Sequence, residues 1–265
     1  MEGKSIVITS GKGGVGKTTT TANIGAALAL EGKKVCLIDA DIGLRNLDVV
    51  LGLENRIVYD LVDVVEERCR MEQALIRDKK TDCLHLMPAA QTRDKEAVNE
   101  EQINMVIDEL KEEMDYILVD SPAGIEQGFR NAISGADRAI IIATPEVSAV
   151  RDADRIIGLL EAEGVKNPEL IINRIKKDMV DRGDMMNIDD MIEILAIEIL
   201  GVVPEEEKIV VSTNRGEPIV HSNNSRAGQA FKNIARRLEG EDLPLMDLEK
   251  DSSFISRIKK FVGLS

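Results

Sequence analysis

The amino-acid sequence predicts an α/β fold: a single doubly wound, mostly parallel sheet with helices on both faces, followed by a C-terminal amphipathic tail. Three observations predict it. Short apolar runs alternate strictly with longer amphipathic stretches through residues 1–238, the order that builds a parallel sheet. Several short runs are apolar on both faces, such as Ile117-Leu118-Val119 and Ile140-Ile141-Ile142. Such runs suit strands sandwiched between helix layers. The end of the chain breaks the pattern with an acidic stretch and then a segment whose charges are all basic.

In chain order, strands are expected at Ser5–Thr9, Lys34–Ile38, Cys83–Met87, Tyr116–Val119, Arg138–Ala143, Glu169–Ile172 and Leu200–Val203. Helices are expected at Lys17–Glu31, Asn99–Glu113, Val147–Glu163, Ile188–Ala196 and Arg226–Leu238. Residues 239–253 are acidic, contain Gly240 and Pro244, and read as a linker. Residues 254–265 form a separate element. In a doubly wound sheet the ligand lies beyond the carboxyl ends of the strands, so the residues after each strand are the ones to read.

Composition narrows the chemistry. The 265 residues are 43% hydrophobic and only 2% aromatic, with no Trp, so aliphatic side chains must build the core. Basic residues number 34 against 48 acidic ones, a net charge of −14, and that field opposes nucleic-acid binding. Cys36, Cys69 and Cys83 show no CxxC spacing, which argues against a zinc site or a disulfide framework. No apolar window reaches the roughly 18 residues that a membrane span needs, and the N-terminal apolar stretch is too short for a signal peptide. A cytoplasmic chain is expected.

The strand Ser5–Thr9 runs into Gly11-Lys12-Gly13-Gly14-Val15-Gly16-Lys17-Thr18-Thr19 and then into a helix. This is GxxxxGK[ST] in its required setting, the mark of a P-loop NTPase. Glycines let backbone N–H groups turn inward around an anion, and the helix adds its positive end. Lys17 is placed to reach the β- and γ-phosphates and the Thr18 hydroxyl to ligate Mg²⁺. Two acids, Asp39 and Asp41, follow the second strand, and Asp120 ends an apolar strand in the Walker B manner. Paired carboxylates beside a phosphate site are costly unless a cation or a reacting water uses them.

GKGGVGKT, with its early second lysine, resembles the deviant Walker A signature of the ParA/MinD family of P-loop ATPases. Longer strings resemble its MinD branch: Asp39–Asp48, Gln91–Lys95, Asp120–Glu126, Pro145–Ser148, Val150–Arg155 and Arg215–Pro218. The resemblance implies an ATP- and Mg²⁺-dependent homodimer in which Lys12 reaches the partner's phosphates. It gives Asp41 the attacking water, and Asp39 and Asp120, with Thr18, the metal. It sets Asn173, Arg174, Pro204 and Glu205 around the adenine. It further implies recruitment of a MinC-like division inhibitor and resetting by a MinE-like factor that stimulates hydrolysis. That partner surface would lie near the segment after Asp120 and the helix carrying Asp152 and Asp154.

The tail can be read without any family. At helical spacing Phe254, Ile255, Ile258, Phe261 and Val262 share one arc, with Arg257, Lys259 and Lys260 outside it. A basic amphipathic helix with Phe on one side suits an anionic membrane surface. Its three basic residues contribute roughly 3 kcal/mol there, against about 1 kcal/mol or more per residue for ordering the helix. One tail is a weak anchor. Two tails on one dimer gain avidity by a factor of about 10² or more. A peripheral location on the inner face of the cell membrane is therefore expected. Two alternatives share the phosphate loop: an ATPase that controls flagellar number or position, and a small-molecule ligase of the dethiobiotin synthetase type.

Overall fold

The computed structural model describes residues 2–94 and 97–248. The apolar runs become β1 (Lys4–Thr9), β2 (Val35–Asp39), β4 (Leu84–Met87), β5 (Tyr116–Asp120), β6 (Arg138–Ala143), β7 (Glu169–Ile175) and β8 (Glu198–Pro204). A two-residue strand, β3 (Ile76–Arg77), joins them. The sheet order is β3-β4-β2-β5-β1-β6-β7-β8, parallel except where β3 runs against β4. β1 is thus flanked by β5 and β6, and the loop after it opens at the middle of the sheet's carboxyl edge.

The larger helices are α1 (Lys17–Leu30), α5 (Glu100–Lys111), α7 (Val147–Ala162), α9 (Ile188–Leu195) and α11 (Arg226–Leu238). The predicted boundary residues Glu31, Asn99, Glu163 and Ala196 fall just outside them as caps, and Glu113 lies one residue past the C-cap Glu112 of α5. Asn99, for example, accepts from Gln102 N–H at 3.0 Å and donates its own N–H to Gln102 Oε1 at 3.0 Å, a reciprocal box that starts α5. Strict alternation fails between β2 and β4. There the chain makes α2 (Leu47–Leu51), α3 (Leu61–Val65) and α4 (Met71–Ala74) before β3. Three further helices also escape the sequence reading: α6 (Gln127–Ser134), α8 (Lys177–Asp181) and α10 (Glu207–Asn214). Among the described residues no helix is long and apolar enough to cross a membrane.

Side chains alternate across the strands into two cores. Val7, Ile117 and Val119 face a layer containing α5, α6, α7 and α9. Ile6, Ile8 and Leu118 face α1, α2 and α11. α1 is buried nearly all round because the sheet lies beneath it and α2 and α11 cover it. Phe231 on α11 is 1% exposed in this second core. Phe231→Ala should cost about 3–5 kcal/mol of stability, read as a shifted denaturant midpoint. No shift would contradict this account of the packing.

The stretch read as a linker begins differently than expected. Residues 239–248 lie against the domain as a strap along β8, the sheet edge. Glu239 pairs with Lys33 and accepts from the Tyr116 hydroxyl. The Arg237 guanidinium donates to Leu243 O at 2.9 Å and to Ile199 O and Leu200 O of β8 at 3.3 and 2.9 Å. Arg226 donates to Asp247 O at 2.8 Å, and Leu245, Met246 and Leu248 pack on the two cores. The reason is physical: edge carbonyls need donors, and Arg237 supplies them to strand and strap at once. The tail residues Phe254, Ile255, Arg257, Ile258, Lys259, Lys260, Phe261 and Val262 lie outside the described residues, as does Lys95.

Candidate functional site

The site is built where β1 meets α1. Gly14 and Gly16 hold φ of +78° and +97°, values that favour glycine. A Cβ on Gly16 would also sit 2.4 Å from Asn173 Nδ2, so close approach adds to the demand for glycine. Asn173 is buried within β7 and donates from Nδ2 to Val15 O at 2.7 Å, while Oδ1 accepts from Arg174 N–H at 3.0 Å. It braces the loop across 158 residues of sequence, a role the sequence did not reveal. A Cβ on Gly11 would meet Asp152 O at 2.4 Å, so the loop's entry lies directly on α7. Gly13 faces Ala123 of the segment after β5, with 3.9 Å between Ala123 Cβ and a Cβ built on it.

The carboxylates converge beside this loop. Asp39 and Asp120 end adjacent strands in direct register. Asp120 Oδ1 lies 3.8 Å from Lys17 Nζ and accepts from Thr21 Oγ1 at 3.3 Å and from the Thr18 hydroxyl. Burial holds the Asp120 carboxyl above the usual carboxylate range, against the pull of Lys17, Thr18 and Thr21, and Asp41 pushes it further up. Burial and the Asp120 charge raise Asp39 likewise. Thr21 was missed in the sequence. Its signal, a hydroxyl one helical turn after Lys17, is weak in a helix with four consecutive threonines.

Asp39 is occupied with the chain itself. Oδ1 accepts from Asp41 N–H at 3.0 Å, and Oδ2 from Asn46 and Leu47 N–H at 3.1 and 3.0 Å. It organises the turn that launches α2, and Arg45 Nε pairs with Asp48 at 2.8 Å in the same segment. Asp41 stands at the rim of the site, half-buried. Among the described residues no group of three or more His, Cys, Asp or Glu could hold a metal by itself. Mg²⁺ fits here only as it usually binds nucleotide sites, through few protein ligands and phosphate oxygens. The buried lysine, the left-handed glycines and the two mutually repelling carboxylates suit Mg²⁺ with a polyphosphate.

Lys12 points out of its own loop. Its Nζ donates to Glu146 Oε2 at 2.9 Å and Ser148 Oγ at 3.1 Å, at the start of α7, and its side chain is 41% exposed. Beside the loop, a cavity of about 170 Å³ is lined by Gly16, Thr19, Asn173, Arg174 and Glu205. Arg174 holds φ of +59°, and its Nε lies 4.0 Å from Glu205. Pro204 pairs with Ile175 and is buried, outside this lining, whereas Glu206, Ile209, Val210 and Phe231 complete it.

Known proteins resemble the chain over nearly its whole length. The family model "CobQ/CobB/MinD/ParA nucleotide binding domain" matches residues 6–219. The septum site-determining protein MinD of Bacillus subtilis (strain 168) is 58% identical over 265 residues, 99% of each chain. The MinC:MinD cell division protein complex of Aquifex aeolicus superposes with a TM-score of 0.87 at 56% identity, over 92% of this chain and 99% of that one. MinD of Pyrococcus horikoshii OT3, complexed with Mg-ADP, superposes with a TM-score of 0.81 at 29% identity, over 89% and 96% of the two chains.

Proposed function

The chain belongs to the septum site-determining MinD family of P-loop ATPases, and from that premise we propose that it is a membrane-associated switch that dimerises on ATP to help place the division septum. The observation that carries the proposal is the position of Lys12. Its side chain turns out of its own phosphate loop onto Glu146 and Ser148 and is 41% exposed, the disposition a lysine needs to reach a second copy's phosphates.

When bound, MgATP supplies the transferable γ-phosphoryl group and a divalent charge over the phosphates. Lys17 and the loop amides of Gly11–Gly16 hold the phosphates, with Thr18 and Asp120 at the metal and Asp39 fixing the turn behind them. Asp41 orients the attacking water. Lys12 leaves Glu146 and Ser148 to neutralise the partner copy's phosphates, a counterpart of an arginine finger. Thr19, Asn173, Arg174 and Glu205 border the base. The complexes of relatives with Mg-ADP and with MinC support the cofactor and a MinC-like partner. A MinE-like factor that raises the hydrolysis rate, and an anionic inner-membrane surface bound by residues 254–265, complete the reading.

Light scattering with Mg²⁺ and a non-hydrolysable ATP analogue tests it. The expected result is a doubled mass with the analogue and monomer with ADP, with Lys12→Ala shifting the analogue-bound form back to monomer. A wild-type monomer under all conditions would overturn the proposal.

A further inference from the structure

A second depression, of about 380 Å³, lies between α10, the Ile219–His221 turn and Lys80; it adjoins the cavity beside the phosphate loop through α10 but shares no lining residue with it. Its lining holds Lys80, Lys208 and Arg215 against one carboxylate, Glu217. On a chain of net charge −14 this is a local reversal of sign. Two of the three cations have acid partners: Lys80 with Glu217 at 2.9 Å, and Lys208 with Glu206 at 3.5 Å. Among the described residues the Arg215 guanidinium makes neither an ion pair nor a hydrogen bond, and it acts on Glu217 only through space. His221 is half-buried at the same depression, and Val211 and Pro218 give it an apolar side.

We propose that this depression is a nucleotide-independent site for a phosphate monoester of the glycerol phosphate class. The planar Arg215 fork matches phosphate oxygens in a bidentate contact, and Lys80 and Lys208 add point charge. The volume exceeds that of a bare phosphate, and Val211 and Pro218 meet the carbon skeleton of the ester. Burial and the charges of Lys80 and Lys232 outweigh Asp78 and Glu217 and hold the His221 pKa below the usual imidazole value, and the ring at the depression reports a bound anion. Such an ester reaches the site either as a soluble molecule or as the headgroup of phosphatidic acid.

The test uses the full chain saturated with Mg-ADP, so that the phosphate loop is filled. Glycerol 3-phosphate is titrated by calorimetry and by imidazole NMR. The chain has two histidines, and His85 is the internal control. Saturable binding that moves the His221 signals and spares His85 is expected, weakened about tenfold or more in Arg215→Gln. Arg215→Lys should fall between, and ADP affinity and thermal midpoint should stay unchanged in both. In a second arm, the increment in vesicle binding from adding phosphatidic acid to phosphatidylcholine is compared in wild type and Arg215→Gln. Loss in the soluble arm assigns a free ester; loss in the vesicle arm assigns the lipid. Binding that Arg215→Gln leaves intact, or no response in either arm, overturns the proposal.

Discussion

Asp41→Ala is expected to bind Mg-ATP and dimerise as the wild type does, while turnover falls by about 10²–10⁴, the usual worth of a group that positions or deprotonates a reacting water. Affinity survives because the phosphates are held elsewhere, by Lys17 and the glycine loop. Rate is lost because Asp41 sits on a turn with little freedom: its N–H is tied to Asp39 Oδ1, and Asp39 Oδ2 is tied to two further amides. The substitution removes a carboxylate and leaves that turn standing. Fluorescent-nucleotide titration and phosphate release measure the two effects separately. Normal release would remove Asp41 from the chemistry, and lost binding would make it a structural residue.

Deleting residues 254–265 is expected to leave nucleotide binding and basal hydrolysis unchanged while ATP-dependent co-sedimentation with anionic vesicles falls to the level seen with ADP. The loss should be about 10² or more, since a bivalent attachment fails as a unit. The domain retains its packing because the strap at 239–248, with Arg237 and Arg226 on its carbonyls, is kept. Sedimentation that survives the deletion would refute membrane attachment through the tail.

The sequence made the sheet legible wherever a strand is buried on both faces, as in Ile117–Val119 and Ile140–Ile142. It failed where elements are short or go against their propensity. α2, α3, α4 and α8 run four or five residues, too few to show a period. α10 carries Ile209, Val210, Val211 and Thr213, β-branched residues that read as strand or loop. The phosphate loop was legible because its chemistry is local. Asn173 on Val15 and Lys12 on Glu146 were not, since contacts across 158 and 134 residues leave no trace in spacing. Asp39 reads as an acid beside a metal, yet its hydrogen bonds reveal an organiser of the turn. The strap was misread because its acidic residues and Pro244 masked Leu245, Met246 and Leu248.

That strap shortens the leash. From Leu248 to Phe254 the five residues 249–253 intervene, and the six steps between those two Cα atoms reach at most about 21 Å when fully drawn out. The stretch just before residues 249–253 is held beside the first turn of α11, where Arg226 donates to Asp247 O. On the proposed reading, two such moorings on one dimer would set how the pair is berthed, and its heading and tilt over lipid would follow from the sheet edge rather than from chance. Lengthening 249–253 would loosen that heading without weakening either hook.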